Sequence, residues 1–377
     1  MKSTQLRFLW ENALAPSRFR TGVSLHSHTM HSQEDISFLA QHAHRVPVIS
    51  QAVRRQERNY QKQWRRKLDY SRVYWTPPLP AREAFALERK QVENGLGLEA
   101  LVSLTDHDEI EACLQLQVLD SSRHVPISTE WTVPFGPSFV HLGVHNLPPL
   151  HARALVEEMA EYTRRPAAQG LQDILTALNA YPEVLVVFNH PLWDERGIGE
   201  AAHLDMVRTV LRNYGTLIHA LELNALRPWA ENRSVVTMAR DTNHPLVSGG
   251  DRHGCEPNAN VNLTNAGSFA EFVEEIRVDG ISDVLFMPQY REGRRLRYLE
   301  TIWDVLRDYP EHPNRVRWSD RVYYRQDNGV DAPVSSFWKR GDPEVLQLFV
   351  SVVELFQQPT LRPVLRLALF ERQEFAQ

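Results

Sequence analysis

Residues 21–29 read TGVSLHSHT, a short apolar run from Val23 to Leu25 that stops at His26-Ser27-His28. The arrangement recurs. Leu101 to Leu104 runs into Thr105-Asp106-His107, Val184 to Phe188 into Asn189-His190-Pro191, and Leu246 to Ser248 into Gly249-Gly250-Asp251, while Leu217 to Leu223 surrounds Glu222. Short continuous runs of this kind read as buried parallel strands, because a strand covered on both faces has no polar side to alternate with. Several of the segments between them have helical periodicity. Pro80 to Asn94 places Ala84, Leu87 and Val92 together and has Gly95 as its expected stop, and Ala201 to Tyr214 is a second example. Alternating strand and helix predicts an α/β barrel, in which residues at the strand C-termini build the site.

Composition narrows the function classes. The chain has 377 residues, 42% apolar and 24% charged, which excludes wholesale disorder and a collagen-like chain. A formal charge of -5 argues against a protein that coats nucleic acid or anionic membrane, so any basic site is local. Two cysteines, Cys113 and Cys255, make no disulfide framework and no CxxC pair. Together with an N-terminal stretch that lacks a signal-like apolar region, they predict a cytoplasmic protein.

Two regions break the alternation. Residues 45 to 75 carry nine Arg or Lys against Glu57 and Asp69, a net +7 inside a negative chain, interleaved with Tyr60, Trp64, Tyr70, Tyr74 and Trp75. This basic, aromatic insertion, at about 36–79, reads either as a solvated segment docked on the barrel or as the lining of an anionic substrate channel. From 291 to 377 the chain reads as a mainly helical extension: Leu296, Leu299, Ile302, Trp303 and Leu306 share a face, and Asp342-Pro343 is a start signal for an apolar helix from Val345 to Phe356. Residues 1–290 are then the barrel, and the C-terminal helices are a candidate surface for a homo-oligomer.

The strand ends carry the chemistry. A His-x-His pair alone is expected by chance on the order of once in a chain this rich in histidine, and His42-x-His44 is read as such a pair. The full series is more specific: His26, His28, His107, Glu130, His141, His190, Asp251 and His253 supply nitrogen and oxygen donors suited to Zn, Mn or Fe, with no thiolate. Eight donors exceed what one ion takes, which predicts at least two ions and a bridging carboxylate.

In four motifs the chain resembles the polymerase and histidinol phosphatase (PHP) family of metal-dependent phosphoesterases. They are Leu25-His26-Ser27-His28-Thr29, Leu104-Thr105-Asp106-His107-Asp108, Asn189-His190-Pro191 and Gly250-Asp251-Arg252-His253, with Glu130 and His141-Leu142-Gly143 between them. The resemblance covers roughly residues 21 to 290. It implies a distorted (β/α)7 TIM-like barrel holding two or three divalent ions, Mn, Zn or Fe, with the eight residues above as ligands. It also implies hydrolysis of a phosphomonoester or phosphodiester by attack of a metal-bridging hydroxide. One position departs from the family's HxHTxxSDG pattern: Gln33 stands where an Asp ligand is usual. Either Glu34 or Asp35 substitutes, or His31 steps in, or one ion is held more weakly.

Other roles follow from position. Asp106 and Asp108 flank a ligand histidine and are candidates for orienting or proton-handling work, with His31 and Arg227 as further catalytic candidates. Arg196, Arg227, Asn224 and Arg252 are candidates for holding the substrate, because a guanidinium grips two oxyanion oxygens at once. Glu222 is read as a substrate contact or a brace. The expected partner is a small phosphorylated or nucleotide-like substrate, with nucleic acid less favoured and no membrane. Two competing readings remain: an amidohydrolase-like enzyme acting on a non-phosphate substrate, and a non-catalytic binding or scaffolding module.

Overall fold

The apolar runs form strands, and each is short because it spans a buried layer only once. The structure, a computed structural model, describes residues 3–35, 69–256, 258–338, 341–358 and 360–368, with isolated positions between 54 and 67. In chain order the strands are β1 (Ser3–Phe8), β2 (Thr21–Ser24), β3 (Glu34–Asp35), β4 (Val73–Trp75), β5 (Glu99–Val102), β6 (Ile127–Phe135) and β7 (Ser138–Leu147). They continue with β8 (Leu185–Phe188), β9 (Ala220–Asn224), β10 (Leu246–Gly249), β11 (Asn260–Thr264), β12 (Ile281–Phe286), β13 (Val322–Arg325) and β14 (Asp331–Pro333). The helices are α1 (Ala81–Leu96), α2 (Glu111–Gln117), α3 (Ala152–Arg164), α4 (Ala168–Asn179), α5 (Glu200–Tyr214), α6 (Trp229–Thr242), α7 (Phe269–Glu274), α8 (Arg294–Leu306), α9 (Glu344–Phe356) and α10 (Arg362–Ala368). Among the described residues no helix is long and apolar enough to cross a membrane.

Two compact units divide the chain, one of Met1–Ser32, Leu79–Thr301 and Leu365–Gln377, the other of Gln33–Pro78 and Ile302–Val364. The first is mixed α/β, with two five-stranded sheets in the orders β1-β12-β11-β2-β5 and β10-β9-β8-β7-β6. The expected closed barrel is not formed. Among the described residues the isolated backbone bridges between the sheets are Ser27 with Arg252 and His107 with Glu130. The reason lies in strand direction. A repeated βα unit gives parallel neighbours, but the two-residue link Gly136-Pro137 makes β6 and β7 an antiparallel hairpin, and β11 runs antiparallel to both β2 and β12. Where the ladder is interrupted, the sheets are joined at the histidine-bearing strand ends.

The interior is apolar and packed. Val23, Leu25, Leu185, Val187, Ala220 and Val247 from the strands meet Phe269, Phe272, Val273 and Ile276 from α7 and the turn after it. Helix α1 runs through Gly95 and stops at Gly97, whose φ of +70° closes it with a left-handed cap. The expected stop at Gly95 was two residues early, because only Gly97 needs the conformation that glycine supplies freely.

The second unit carries an antiparallel sheet in the order β14-β13-β4-β3. It joins the end of the basic insertion to the C-terminal extension: Val73, Tyr74 and Trp75 pair with Tyr324, Tyr323 and Val322. The region after 291 is therefore not helical throughout. Gln33 accepts a hydrogen bond from Arg325 at 3.1 Å, and Glu34 and Asp35 pair with Trp75 and Tyr74. Most of the insertion, including Trp64, Arg66, His42 and His44, lies outside the described residues.

Arg321 organises this unit. Fully buried, its guanidinium donates to the carbonyls of Arg315, Val316, Val305 and Arg307 at 2.7–3.0 Å. Buried carbonyls left without donors each carry a desolvation cost, so Arg321→Met is expected to lose about 3 kcal/mol or more in urea denaturation. The exposed Arg325, paired with Asp331, is the control, and Arg325→Met is expected to lose less than about 1 kcal/mol.

Candidate metal centre

Four residues that carry a side chain adopt positive φ where the strand ends converge: His26 at +64°, Asp108 at +51°, His190 at +25° and Asp251 at +52°. Such backbone costs on the order of 1 kcal/mol or more at each position and persists only where surrounding bonds impose it. Those bonds are present. Asp251 N–H donates to the His26 carbonyl at 2.6 Å, Gly250 N–H to Leu25 at 2.9 Å, His28 N–H to Arg252 at 2.8 Å and Asp108 N–H to Glu130 at 2.9 Å. Glu130 N–H donates to Asp106 at 3.1 Å and Asn189 N–H to His141 at 3.0 Å.

This stitching brings all eight candidate ligands together. Glu130 is at the centre: its Oε2 lies 3.0 Å from His26 Nε2 and 3.4 Å from both His28 Nε2 and His107 Nε2. Its Oε1 lies 3.1 Å from His190 Nε2 and 3.7 Å from His141 Nδ1. Asp251 Oδ1 lies 3.6 Å from His26 Nε2, 3.6 Å from His28 Nε2 and 3.7 Å from His253 Nδ1. Within the first unit four overlapping groups follow: His26, His28 and Glu130; His26, His190 and Asp251; His28, Asp251 and His253; Glu130, His141 and His190.

The donor set fits divalent cations. A cation about 2.0–2.2 Å from tetrahedral or octahedral ligands spaces neighbouring donors about 3.0–3.5 Å apart, close to the separations above. Ion pairing alone does not account for six imidazoles around two carboxylates. Each nitrogen aimed at a carboxylate would need a proton, and the rings, with centroids 4.4–5.6 Å apart along the chain of contacts, would then repel. Burial opposes charge on His26, yet Glu130, Glu222 and Asp251 hold its pKa well above the usual imidazole range. Burial holds His141 well below that range. Burial likewise works against ionised Glu130 and Asp251, but the surrounding imidazoles, His26 foremost, keep both carboxyls well below their ordinary values.

Around the donors stand residues with different duties. Asp106 accepts from Thr29 twice, from its N–H at 2.5 Å and its hydroxyl at 2.7 Å, so it fixes the loop bearing His26 and His28. Asp108 accepts from Thr132 N–H at 2.8 Å, and burial pushes its carboxyl up to about 6. Asn224 is fully buried and donates to Glu222 and to Asp251, each at 3.1 Å. Arg252 turns away from the cluster into a buried ion pair with Glu88 at 3.1 Å and a bond to Gln91. His31 lies beside Gln115, at 3.3 Å.

The two loop arginines differ. Arg227 stacks over Trp193, itself in edge contact with His190, but its guanidinium is gripped by Glu231 at 2.8 and 3.2 Å. Arg196 is exposed and stacks over Phe139, which packs on His141, and among the described residues its guanidinium makes no ion pair or hydrogen bond.

Two contributors were not singled out as site residues from sequence. Ser32 accepts from His107 N–H at 3.0 Å and meets His28 Nδ1 at 3.2 Å. Asn189 donates to Glu130 Oε1 at 2.9 Å. Glu222, read from the sequence as a substrate contact or a brace, meets His26 Nδ1 at 2.5 Å; its signal was an acid interrupting the apolar run of β9.

No family model matches the chain, and no curated protein matches it in sequence. Among solved structures it is distantly similar to PsfC from Pseudomonas syringae, at 16% identity and a TM-score of 0.40 over 59% of this chain and 89% of that one. A candidate metal-dependent phosphoesterase from Bifidobacterium adolescentis matches at 15% identity and TM-score 0.33 over 53% and 91% of the two chains. An amidohydrolase from Chromobacterium violaceum, with bound sulfate and no metal, matches at 14% identity and TM-score 0.35 over 47% and 83%.

Protein stripped by chelator and titrated with Mn2+ or Zn2+ is expected to bind about two or more equivalents and to melt at a higher temperature once loaded. Glu130→Gln, with one charge removed between the ligand groups, is expected to lose at least one equivalent by elemental mass spectrometry.

Proposed function

We propose that the chain is a metal-dependent phosphoesterase acting on a small phosphorylated substrate. The observation that carries the reading is the pair of buried carboxylates, Glu130 and Asp251, each faced by imidazoles from different strand ends at 3.0–3.7 Å. His26, His28, His107, Glu130, His141, His190, Asp251 and His253 would hold the ions, with Glu130 the bridging candidate because its two oxygens face different histidines. When bound, two or more divalent ions would neutralise phosphoryl oxygens and acidify the attacking water.

The protein's own residues divide the remaining work. Asp106 and Asn224 position the ligand loops and have their polar atoms committed to that. Arg252 anchors the Asp251–His253 loop to α1 through Glu88. Of the four substrate-holding candidates, Arg196 is the one with an uncommitted guanidinium, stacked over Phe139, which in turn packs on His141. That free cation favours an anionic substrate such as a phosphate ester over an amide or lactone.

Two measurements test this. Metal-loaded protein is expected to hydrolyse members of a panel of phosphate mono- and diesters, with competitive inhibition by inorganic phosphate. Turnover of amides or lactones alone would overturn the reading. Arg196→Ala, losing a charge-assisted contact of about 1.5–3 kcal/mol, is expected to raise KM about 10- to 100-fold, while its metal content stays that of the wild type.

A further inference from the structure

Strand β9 contributes none of the eight donors, yet both of its buried polar residues, Glu222 and Asn224, reach donors carried by its neighbours. We infer that Glu222 is the positioning residue that orients His26 and His190 together and leaves the His26 Nε2 lone pair for a cation. The inference rests on reading the site as a metal centre.

Glu222 is 1% exposed and both oxygens are engaged: Oε1 lies 2.5 Å from His26 Nδ1, and Oε2 accepts from His190 N–H at 2.7 Å and from the Asn224 amide at 3.1 Å. A carboxylate at Nδ1 draws the imidazole proton to that nitrogen. The other nitrogen, Nε2, faces Glu130 and Asp251 at 3.0 and 3.6 Å, so a cation that displaces its proton would meet a lone pair aimed into the donor cluster. The bond to His190 N–H holds the amide of a residue whose φ is +25°, outside the range side chains favour. One carboxylate thus selects the tautomer of one ligand and holds the strained backbone of another. Through Asn224, which also donates to Asp251 at 3.1 Å, the same strand restrains a third. With both oxygens committed, Glu222 is not itself a ligand.

Gly249 on the adjacent strand makes the geometry possible. A Cβ there would collide with the Glu222 carboxylate and lie 2.9 Å from its Cγ. The glycine is required by the space the carboxylate fills, since its own φ is not in the left-handed region.

The experiment uses full-length chelator-stripped protein, titrated calorimetrically with Zn2+ and with Mn2+, for wild type, Glu222→Gln and Gly249→Ala. The amide in Glu222→Gln keeps one acceptor oxygen for three donors, His26 Nδ1–H, His190 N–H and the Asn224 amide. Gly249→Ala leaves the charge but displaces it. Both are expected to weaken the affinity of at least one equivalent about 10- to 100-fold, with the metal-free circular dichroism spectrum of the wild type retained. Wild-type affinity in both variants would overturn the inference while leaving the metal centre intact. No binding by the wild type would overturn the metal centre and this inference with it. Should either variant fail to fold, 15N-histidine spectra of the Zn2+-loaded wild type decide: His26 protonated at Nδ1 with zinc at Nε2 supports the inference, and zinc at Nδ1 overturns it.

Discussion

The carboxylate of Glu130, buried among five imidazoles, is the constraint on which the rest of the first unit depends. A buried negative charge costs several kcal/mol unless it is compensated, and here compensation arrives from four other strand ends: His26 and His28 after β2, His107 after β5, His141 on β7 and His190 after β8. The same position is where the two sheets touch, because the His107–Glu130 bridge is one of the isolated backbone bridges between them. The site and the architecture are thus one object. The strained backbone at His26, Asp108, His190 and Asp251 is the local cost of aiming these groups at one another, offset by hydrogen bonds that cross from strand end to strand end.

Around that centre the polar residues are graded by commitment. Asp106 and Asn224 spend their hydrogen bonds, and Arg252 its ion pair with Glu88, within the framework, which suits groups that hold geometry. Arg196 lies over Phe139 with its guanidinium uncommitted, which suits a group awaiting an anion. Arg227 stands between, near the cluster but held by Glu231. Sequence position placed all of these near the strand ends and could not rank them, because the rank depends on what each side chain already touches.

Much of the first unit was legible because burial on both faces writes strands as apolar runs, and because the runs end where donors begin. The turn from Phe135 to Ser138 was not: a two-residue link leaves no helix to detect, and antiparallel direction carries no signature in a run buried on both sides. Arg252 was half legible, since alternation along an extended chain points it away from its neighbours Asp251 and His253, but its partner Glu88 lies 164 positions earlier. The second unit was illegible for the same reason on a larger scale. Tyr74 pairs with Tyr323 across the chain, and nothing local in a basic, aromatic stretch distinguishes a sheet edge from a solvated helix.

The central claim is that the donors around Glu130 and Asp251 hold divalent cations, and anomalous diffraction from crystals of Mn2+- or Zn2+-loaded protein tests it most directly. The account predicts at least two anomalous peaks, each about 2.0–2.3 Å from two or more of the eight donors, one of them at a Glu130 oxygen. A fully loaded crystal with no peak inside the cluster, and its imidazoles and carboxylates bonded only to one another, would contradict it.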